Sequence, residues 1–264
     1  MKKLQSLSRK LRYKICEMSF KAKAAHLASS LSCIDLIISI YFGNMFKFNT
    51  SKANSNDRFV LSKGHAAAAL YSVLAEKKII PKSKLSLYGK NNSNYEEHPN
   101  FKIKGIDCST GSLGHGLSFG IGISISKNLL NKKGNILVLM SDGECNEGSV
   151  WEAAGFATAQ NLSNLIVLID SNNWQATGRS NEIFGGDLKK KWNAFGWKTL
   201  SINGHNYSQI LRSLKIAKKS KKPCAIIANT VKGKGIKFME DDNNWHYRIP
   251  KQEELKYIKK ILKV

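Results

Sequence analysis

The sequence lacks the long apolar segments that would place the protein in or across a membrane. None of its apolar runs approaches the ~20 residues that a bilayer-spanning helix needs. The longest, around CIDLIISIYF, is interrupted by Asp35, and the opening MKKLQSLSRKLRYK contains no apolar signal core. We therefore expect a soluble, cytoplasmic protein, and its 264 residues suffice for one large α/β domain.

Paired cysteines are also missing. The chain has an odd number of cysteines, none in a C-x-x-C pair, which argues against a disulfide framework or a zinc site. Cys145 lies near a candidate site described below, but no base is adjacent to it in sequence. We expect buried free thiols at all five positions: Cys16, Cys33, Cys108, Cys145 and Cys224.

Acidic residues and arginines are scarce. The sequence has 19 acidic against 42 basic residues, a net charge of +23, which first suggests nucleic-acid binding. Only six of the basic residues are arginines, and the lysines are scattered or form small clusters at 189–191 and 218–222, without interleaved aromatic residues. The charge therefore favours a lysine-rich surface, which would also attract phosphorylated substrates or an acidic partner.

The common nucleotide-binding loops are absent. The chain contains neither G-x-x-x-x-G-K-[ST] nor G-x-G-x-x-G directly after a strand, and GKGH and GSLGHG fit neither pattern. A nucleic-acid-binding or nucleotide-binding protein without catalysis remains an alternative, supported by the charge and by the α/β pattern.

Segments with helical and strand periodicity alternate along the chain. Helices are expected at 4–25, 33–42, directly after residue 65, and at 116–130, 149–160 and 207–219, with a short basic helix at the end; strands are expected at 59–62, 135–140, 164–170 and 223–231. Residues 81–110 and 171–206 are expected to be loops. The central strands are apolar on both faces, which predicts a doubly wound, mainly parallel sheet with helices on both faces, forming a single domain over residues 1–264.

Polar side chains follow two of these strands. Asp142 comes after ILVLMS, and Asn172 comes after NLIVLIDS. Ligands of open parallel sheets bind at such strand ends, and Mg²⁺ prefers oxygen ligands. Gly143 would let the backbone approach a phosphate, and the helix that starts near Ser149 adds its N-terminal dipole. Either strand end alone would indicate an ordinary turn, but the pair predicts a site for a divalent cation and a diphosphate.

The residues around these strand ends resemble a known family motif. SDGECNEGSVWEAAGFATAQNLSNLIVLIDSNNWQATG resembles the thiamine diphosphate motif of transketolases, which begins G-D-G and ends in N-N or D-N. The likeness continues in family order through HLASSLS, LSKGHAAAALY, EHPN, TGSLGHGL and GKGIKFMEDDNNWH. Ser141 replaces the first glycine of G-D-G, and His115 replaces the usual glutamine.

The resemblance implies roles for individual residues. It assigns a Mg²⁺ ion, or Ca²⁺ or Mn²⁺, to Asp142, Asn172 and the backbone carbonyl of Trp174. Contacts with thiamine diphosphate are assigned to His65, Gly111, Leu113, Gly114, Asp142, Gly143, Glu144, Asn172 and His246. The catalytic group would comprise His26, His65, His98, His246 and Glu147, the last linking two cofactor sites across a subunit interface.

The residues by themselves support these histidine roles unequally. A single histidine is more often structural than catalytic, but His65 follows Lys-Gly at a helix start, where a neutral imidazole can donate to a phosphate. His205, in NGHNY, is expected in a loop with a possible cofactor-side role.

No segment resembles the two further domains of single-chain transketolases. Those domains carry the glutamate that protonates the aminopyrimidine and the arginines that hold the sugar phosphate. The resemblance therefore implies the N-terminal subunit of a split transketolase, forming a two-plus-two heterotetramer with a separately encoded C-terminal subunit. The assembly would transfer a two-carbon ketol unit from a ketose phosphate to an aldose, as in the pentose phosphate pathway.

Two other interpretations of the same resemblance stay open. One is ketol transfer on a specialised or branched sugar, or a reaction like that of deoxyxylulose phosphate synthase. The segment HLASSLS also resembles the synthase, whereas SKGHAAA and DNNWH favour transketolase. The other is a scaffold-only subunit, because Ser141 departs from the motif.

Overall fold

The computed structural model describes residues 1–48 and 57–264. In this part of the chain, five parallel strands form one sheet in the order β1-β2-β3-β5-β4. The strands are β1 Arg58–Leu61, β2 Ile136–Ser141, β3 Leu165–Ser171, β4 Lys198–Asn203 and β5 Cys224–Asn229. Every residue of β2 and β3 is buried, which agrees with their unbroken apolar sequences.

Helices cover both faces of the sheet. They are α1 Lys2–Ala22, α2 Leu27–Phe42, α3 Ala67–Glu76, α4 Gly116–Leu129, α5 Gly148–Ala159, α6 Ser180–Ile183, α7 Leu188–Ala194, α8 Tyr207–Lys218 and α9 Gln252–Leu262. One core contains side chains of α1, α2, α3, α8 and α9 with Leu137 and Leu139, and the other contains side chains of α4, α5 and α7 with Val138 and Met140. The alternation along β2 confirms the predicted doubly wound α/β fold.

The prediction of a loop over residues 171–206 is wrong. It contains α6, α7 and the edge strand β4. No residue of β4 is fully buried, because the strand pairs only with β5, and three of its six residues are exposed. It therefore lacks the continuous apolar run that marks the central strands.

The second helix begins at Leu27 rather than at Cys33. Ser29, Ser30 and Ser32 interrupt the apolar pattern, yet all three are buried. The hydroxyl of Ser32 donates to Asp170 at 2.6 Å, so this part of α2 packs against the end of β3 through polar contacts. Helical periodicity of apolar residues could not reveal such contacts.

The ends of β2 and β3 lie side by side. Ser141 is in register with Asp170, and the Asp142 N–H donates to the Asp170 carbonyl at 3.3 Å. The loops after both strands therefore leave the sheet at the same edge, as predicted.

The cysteines of the described chain are free thiols. Four are buried, as expected, whereas Cys108 is only half-buried. Burial, reinforced by Glu144, raises the pKa of Cys145 well above its usual value, so this thiol is a poor nucleophile.

None of the helices in residues 1–48 and 57–264 is both long and apolar enough to cross a bilayer.

Candidate functional site

A cavity of about 300 Å³ opens at the carboxyl ends of β2 and β3. Most of the predicted site residues line it: His26, His65, His98, Gly111, Leu113, Gly143, Asn172, Trp174 and His246. They come from distant parts of the sequence, so only the fold brings them together.

Four imidazoles form one wall of the cavity. The His26 ring centroid lies 5.0 Å from that of His246, 5.6 Å from that of His65 and 6.1 Å from that of His98. Burial lowers the pKa of His26 and of His65, and burial together with nearby Lys232 lowers the pKa of His246 to about 3. These three rings are therefore neutral at pH 7, and each can both donate and accept a hydrogen bond.

His26 lies just before α2, next to Glu97. Its backbone has φ 63°, and its N–H donates to the carbonyl of His246 at 2.8 Å, which fixes the start of α2 against the 243–246 turn. The buried Nδ1 has no hydrogen-bond partner among the described residues. The nearest carboxylate oxygen, on Glu97, is 3.5 Å away, which is too long for a normal hydrogen bond.

Asp142 is a buried carboxylate with one free oxygen. Its Oδ2 accepts from the N–H of Asn173 at 2.8 Å and from the hydroxyl of Ser180 at 2.6 Å. Its Oδ1 is buried and has no partner among the described residues. Burial raises the pKa of this side chain to about 6. Asp142 lines a neighbouring cleft of about 370 Å³, while Gly143 and Asn172 beside it line the histidine cavity.

The side-chain amide of Asn172 is oriented by its neighbours. Its Nδ2 donates to Ser32 and to Asp170, both at 3.3 Å, and its Oδ1 accepts from the N–H of Trp174 at 3.0 Å. The amide oxygen is therefore directed away from the Asp170 carboxylate and keeps a lone pair for a further partner.

The residues at these two strand ends fit a hard divalent cation. The unpartnered Asp142 oxygen and the Asn172 amide oxygen belong to the ligand class that Mg²⁺ prefers. Within the described residues, no three His, Cys, Asp or Glu side chains cluster to hold a metal. An ion here would need backbone and phosphate oxygens to complete its coordination.

Gly143 provides close backbone approach at the same place. A Cβ on Gly143 would lie 2.7 Å from Cγ of Gln175, so no larger residue fits without movement. Ser141, which departs from the family motif, is accommodated: its hydroxyl accepts from the N–H of Glu144 at 3.2 Å.

Two buried lysines add positive charge next to the cavity. Lys63 is fully buried and ion-paired with Asp170, which is also fully buried. Lys232 lines the cavity with 1% of its surface exposed, donates to Asn243 Oδ1 at 2.6 Å and lies 3.2 Å from Nδ1 of His246. Burial and the charge of Lys63 lower the pKa of Lys232 to about 8.

Sequence reasoning missed both lysines. Lys63 could have been noticed, because it follows β1 and comes directly before Gly64 and His65. In a chain this rich in lysine, no local signal distinguishes Lys232.

Besides Asp142, three predicted site residues do not line the histidine cavity. Glu144 is fully buried behind it, where it accepts from Ser62, from the N–H of Gly114 at 3.0 Å and from the N–H of Ser141 at 3.3 Å. It thereby anchors the 110–116 loop to the end of β2. Gly114 has φ +84°, and a Cβ there would lie 2.8 Å from Cβ of the exposed Glu147.

The two remaining histidines also lie apart from the cavity lining. His205 bridges Asp35 and the backbone of Val231 at 2.8 and 2.9 Å. His115 is exposed at the N-terminus of α4.

Comparison with known proteins places the chain in a family. Residues 4–264 match the family described as "Transketolase, thiamine diphosphate binding domain". The chain is 37% identical over 254 residues to a subunit of apulose-4-phosphate transketolase from Phocaeicola vulgatus, covering 95% of this chain and 90% of that protein. It is also 37% identical over 225 residues to the 6-deoxy-6-sulfo-D-fructose transketolase subunit SqwG of a Clostridium species, covering 83% and 82%.

A solved structure has the same fold over the whole chain. Transketolase from Campylobacter jejuni superposes with a TM-score of 0.93 at 31% identity, covering 100% of this chain and 43% of that one. The chain thus spans most of two proteins named as subunits and less than half of a transketolase that runs as one chain. It belongs to the transketolase family of transferases and corresponds to the family's thiamine diphosphate-binding domain.

Proposed function

We propose that this chain is the diphosphate-binding, N-terminal subunit of a split transketolase that transfers a two-carbon ketol unit between sugars. The observation that carries the proposal is the cavity itself, in which neutral histidines and Lys232 lie beside the strand ends that hold Asp142 and Asn172. Two relatives of similar length, each named as a transketolase subunit, support a separately encoded partner.

The diphosphate end of the cofactor would bind at the strand ends. Asp142, the Asn172 amide oxygen and the Trp174 carbonyl would hold Mg²⁺, or Ca²⁺ or Mn²⁺ in its place. Lys232 would offset negative charge of the phosphates, and Gly143 would let the backbone come close. Thiamine diphosphate supplies the activated carbon that carries the two-carbon unit when it is bound.

The imidazoles would bind and orient the sugar. Neutral rings can donate to a carbonyl or phosphate oxygen and accept from a hydroxyl without introducing a charge. His26 lines the cavity, and His65, His98 and His246 surround its ring. Gly111 and Leu113 would pack against the aminopyrimidine side of the cofactor.

A partner subunit would complete the site. We assign the glutamate that protonates the aminopyrimidine, and the arginines that bind the sugar phosphate, to the pyrimidine-binding and C-terminal domains of that subunit. Glu147, exposed in this chain, would lie at the interface, with Gly114 and Glu144 supporting the loop behind it. We propose two copies of each chain per assembly, located in the cytoplasm.

The substrate class has two candidates. Ketose phosphates of the pentose phosphate pathway are the first. The relatives named for apulose-4-phosphate and for 6-deoxy-6-sulfo-D-fructose favour the second, a specialised or branched sugar.

Reconstitution tests the proposed function. The chain would be purified with a C-terminal transketolase subunit from the same genome, and ketol transfer from xylulose 5-phosphate would be measured over a panel of aldose acceptors. We expect activity only with partner, Mg²⁺ and thiamine diphosphate together. Asp142→Ala should lower turnover by at least about 100-fold through loss of metal binding, whereas Glu253→Gln, an exposed carboxylate change on α9, should not.

Two results would contradict the proposal. Full activity of the isolated chain would exclude the split assembly. Unchanged turnover of Asp142→Ala would exclude the metal assignment.

A further inference from the structure

The turn formed by residues 231–235 presents Lys232 to the cavity but is not rigid by itself. It contains two glycines in the left-handed region, Gly233 at φ +78° and Gly235 at φ +94°. Glycines allow many backbone conformations, so such a turn needs bonds from outside to keep one of them.

Several hydrogen bonds from outside fix this turn. The N–H of Asp241 donates to the carbonyl of Lys232 at 2.9 Å, the N–H of Gly235 donates to Oε1 of Glu240 at 3.1 Å, and three more come from α1, α2 and the loop before α8. His205 Nε2 accepts from the N–H of Val231 at 2.9 Å. At the other end of the turn, Arg12 Nε donates to the carbonyl of Lys234 at 2.7 Å. Between them, the N–H of Gly233 donates to the carbonyl of Ala28 in the first turn of α2 at 3.1 Å.

A single carboxylate, that of Asp35, binds both side chains that bond to the turn, His205 and Arg12. Asp35 on α2 is buried; its Oδ2 lies 2.8 Å from His205 Nδ1 and 2.7 Å from Arg12 Nη2, and its Oδ1 accepts from Arg12 Nη1 at 3.0 Å. Because Val231 donates to Nε2, the proton of the neutral ring must be on Nδ1, where it is donated to Asp35. Asp35 thus sets both the tautomer of His205 and the direction of Arg12.

The turn and the cavity are in direct contact. Lys232 Nζ, at the centre of the turn, donates to Asn243 and lies beside His246. A shift of the backbone at Val231 or Lys234 would therefore move this ammonium relative to the cavity.

We propose that Arg12, Asp35 and His205 are positioning residues that fix the 231–235 turn, and with it the Lys232 ammonium, for binding the anionic end of the ligand. The identity of that ligand rests on the proposed function. The positioning itself is a property of this chain and can be measured without the cofactor.

The chain offers a matched control. The hydroxyl of Tyr207 also donates to Asp35, at 2.8 Å, but has no bond to the turn. Tyr207→Phe and His205→Ala each remove one buried hydrogen bond to the same carboxylate, and only the second releases the turn. His205→Gln can accept from Val231 with its amide oxygen and donate to Asp35 with its nitrogen, so it serves as the rescue variant.

The test uses the full chain and two readouts. Hydrogen exchange of the Val231 and Gly233 amides reports on the turn, and calorimetry with Mg²⁺ and inorganic pyrophosphate reports on anion binding. In His205→Ala we expect both amides to exchange at least about tenfold faster and the pyrophosphate dissociation constant to rise roughly tenfold, a change of about 1.4 kcal/mol. Tyr207→Phe should leave both readouts near wild type even if its melting temperature falls, and His205→Gln should restore most of both.

The outcomes separate the positioning role from the proposed function. Equal effects of His205→Ala and Tyr207→Phe, or unchanged exchange in His205→Ala, would overturn the positioning role. If the wild-type chain binds neither pyrophosphate nor thiamine diphosphate with its partner present, the proposed function fails, while the exchange comparison still decides whether the triad holds the turn.

Discussion

At the scale of single residues, the site is built from charges that burial makes unfavourable. Burial raises the pKa of Asp142 to about 6 and lowers that of Lys232 to about 8, so each group is less stable in its charged form than it would be in water. A bound cation beside Asp142 and a bound anion beside Lys232 would relieve both. These groups therefore favour ligand binding at the expense of the stability of the free chain.

Asp142→Asn is expected to stabilise the chain when no metal is present. The native pKa of Asp142 lies above its unfolded value, so wild type loses stability as pH rises from about 4 through about 6. The variant lacks this loss, and at pH 8 in EDTA it should be more stable by about 1–3 kcal/mol, a difference that shrinks toward zero near pH 4. Urea unfolding at the two pH values measures it.

Bound metal should stabilise wild type but not the Asp142→Asn variant. Mg²⁺ with pyrophosphate should raise the melting temperature of wild type and of the exposed control Glu253→Gln, but not that of Asp142→Asn. A variant that is less stable than wild type at pH 8 in EDTA would show that the buried carboxylate is satisfied without a cation.

The residue scale is also where sequence prediction was least complete. The motifs indicated Asp142, Asn172 and the histidines, because strand ends and Gly-rich turns leave local patterns. Lys63 and Lys232 act through partners more than ten residues away, Asp170 for Lys63 and Asn243 and His246 for Lys232. Their identity depends on which segments the fold brings together.

At the scale of elements, helix α4 packs on the sheet through one of its glycines. A Cβ on Gly120 would lie 2.6 Å from Cγ2 of Val138 on β2, a stiff, buried side chain. Gly122, two residues along the same helix, faces open space in the isolated chain. The close approach of α4 to β2 therefore requires glycine at position 120 and not at position 122.

The two glycines give a prediction with opposite signs. Gly120→Ala should destabilise the isolated chain by about 1–3 kcal/mol through overpacking against Val138. Gly122→Ala should stabilise it by up to about 1 kcal/mol, because alanine has the higher helix propensity. Urea unfolding of both variants tests the packing of α4, and equal effects would contradict it.

Element prediction succeeded where the buried residues are apolar, and it failed in short, exposed or polar segments. The central strands and most helices were located within a few residues, since burial on both faces of the sheet imposes apolar patterns. The segments α6 and α7 were missed because they are only four and seven residues long, and β4 was missed because this edge strand has no fully buried residue. Ser29, Ser30 and Ser32 likewise obscured the start of α2.

At the scale of the whole molecule, the net charge of +23 dominates its long-range interactions. Self-repulsion of this size disfavours association between copies of the chain alone and favours an acidic partner. Such a charge changes association rates more than it changes the contacts of the final complex.

Assembly with the proposed C-terminal subunit should therefore depend on salt. We expect the association rate constant to fall at least about tenfold between roughly 50 mM and 300 mM NaCl, with a much smaller change in the dissociation rate constant. Stopped-flow mixing, followed by tryptophan fluorescence, measures both, and an equal osmolality of sucrose is the control. An association rate constant that does not change with salt would show that the net charge has no role in assembly.

The sequence by itself determined the alternation of strands and helices, the two polar strand ends and the family motif. Each of these is encoded in neighbouring residues, through periodicity, turn chemistry or a fixed spacing. Only the tertiary structure decided that four histidines share one cavity, that Lys63 and Lys232 adjoin it, and that Arg12, Asp35 and His205 hold the 231–235 turn. These contacts join residues from remote parts of the chain, and their energies come from shared burial, which no local pattern records.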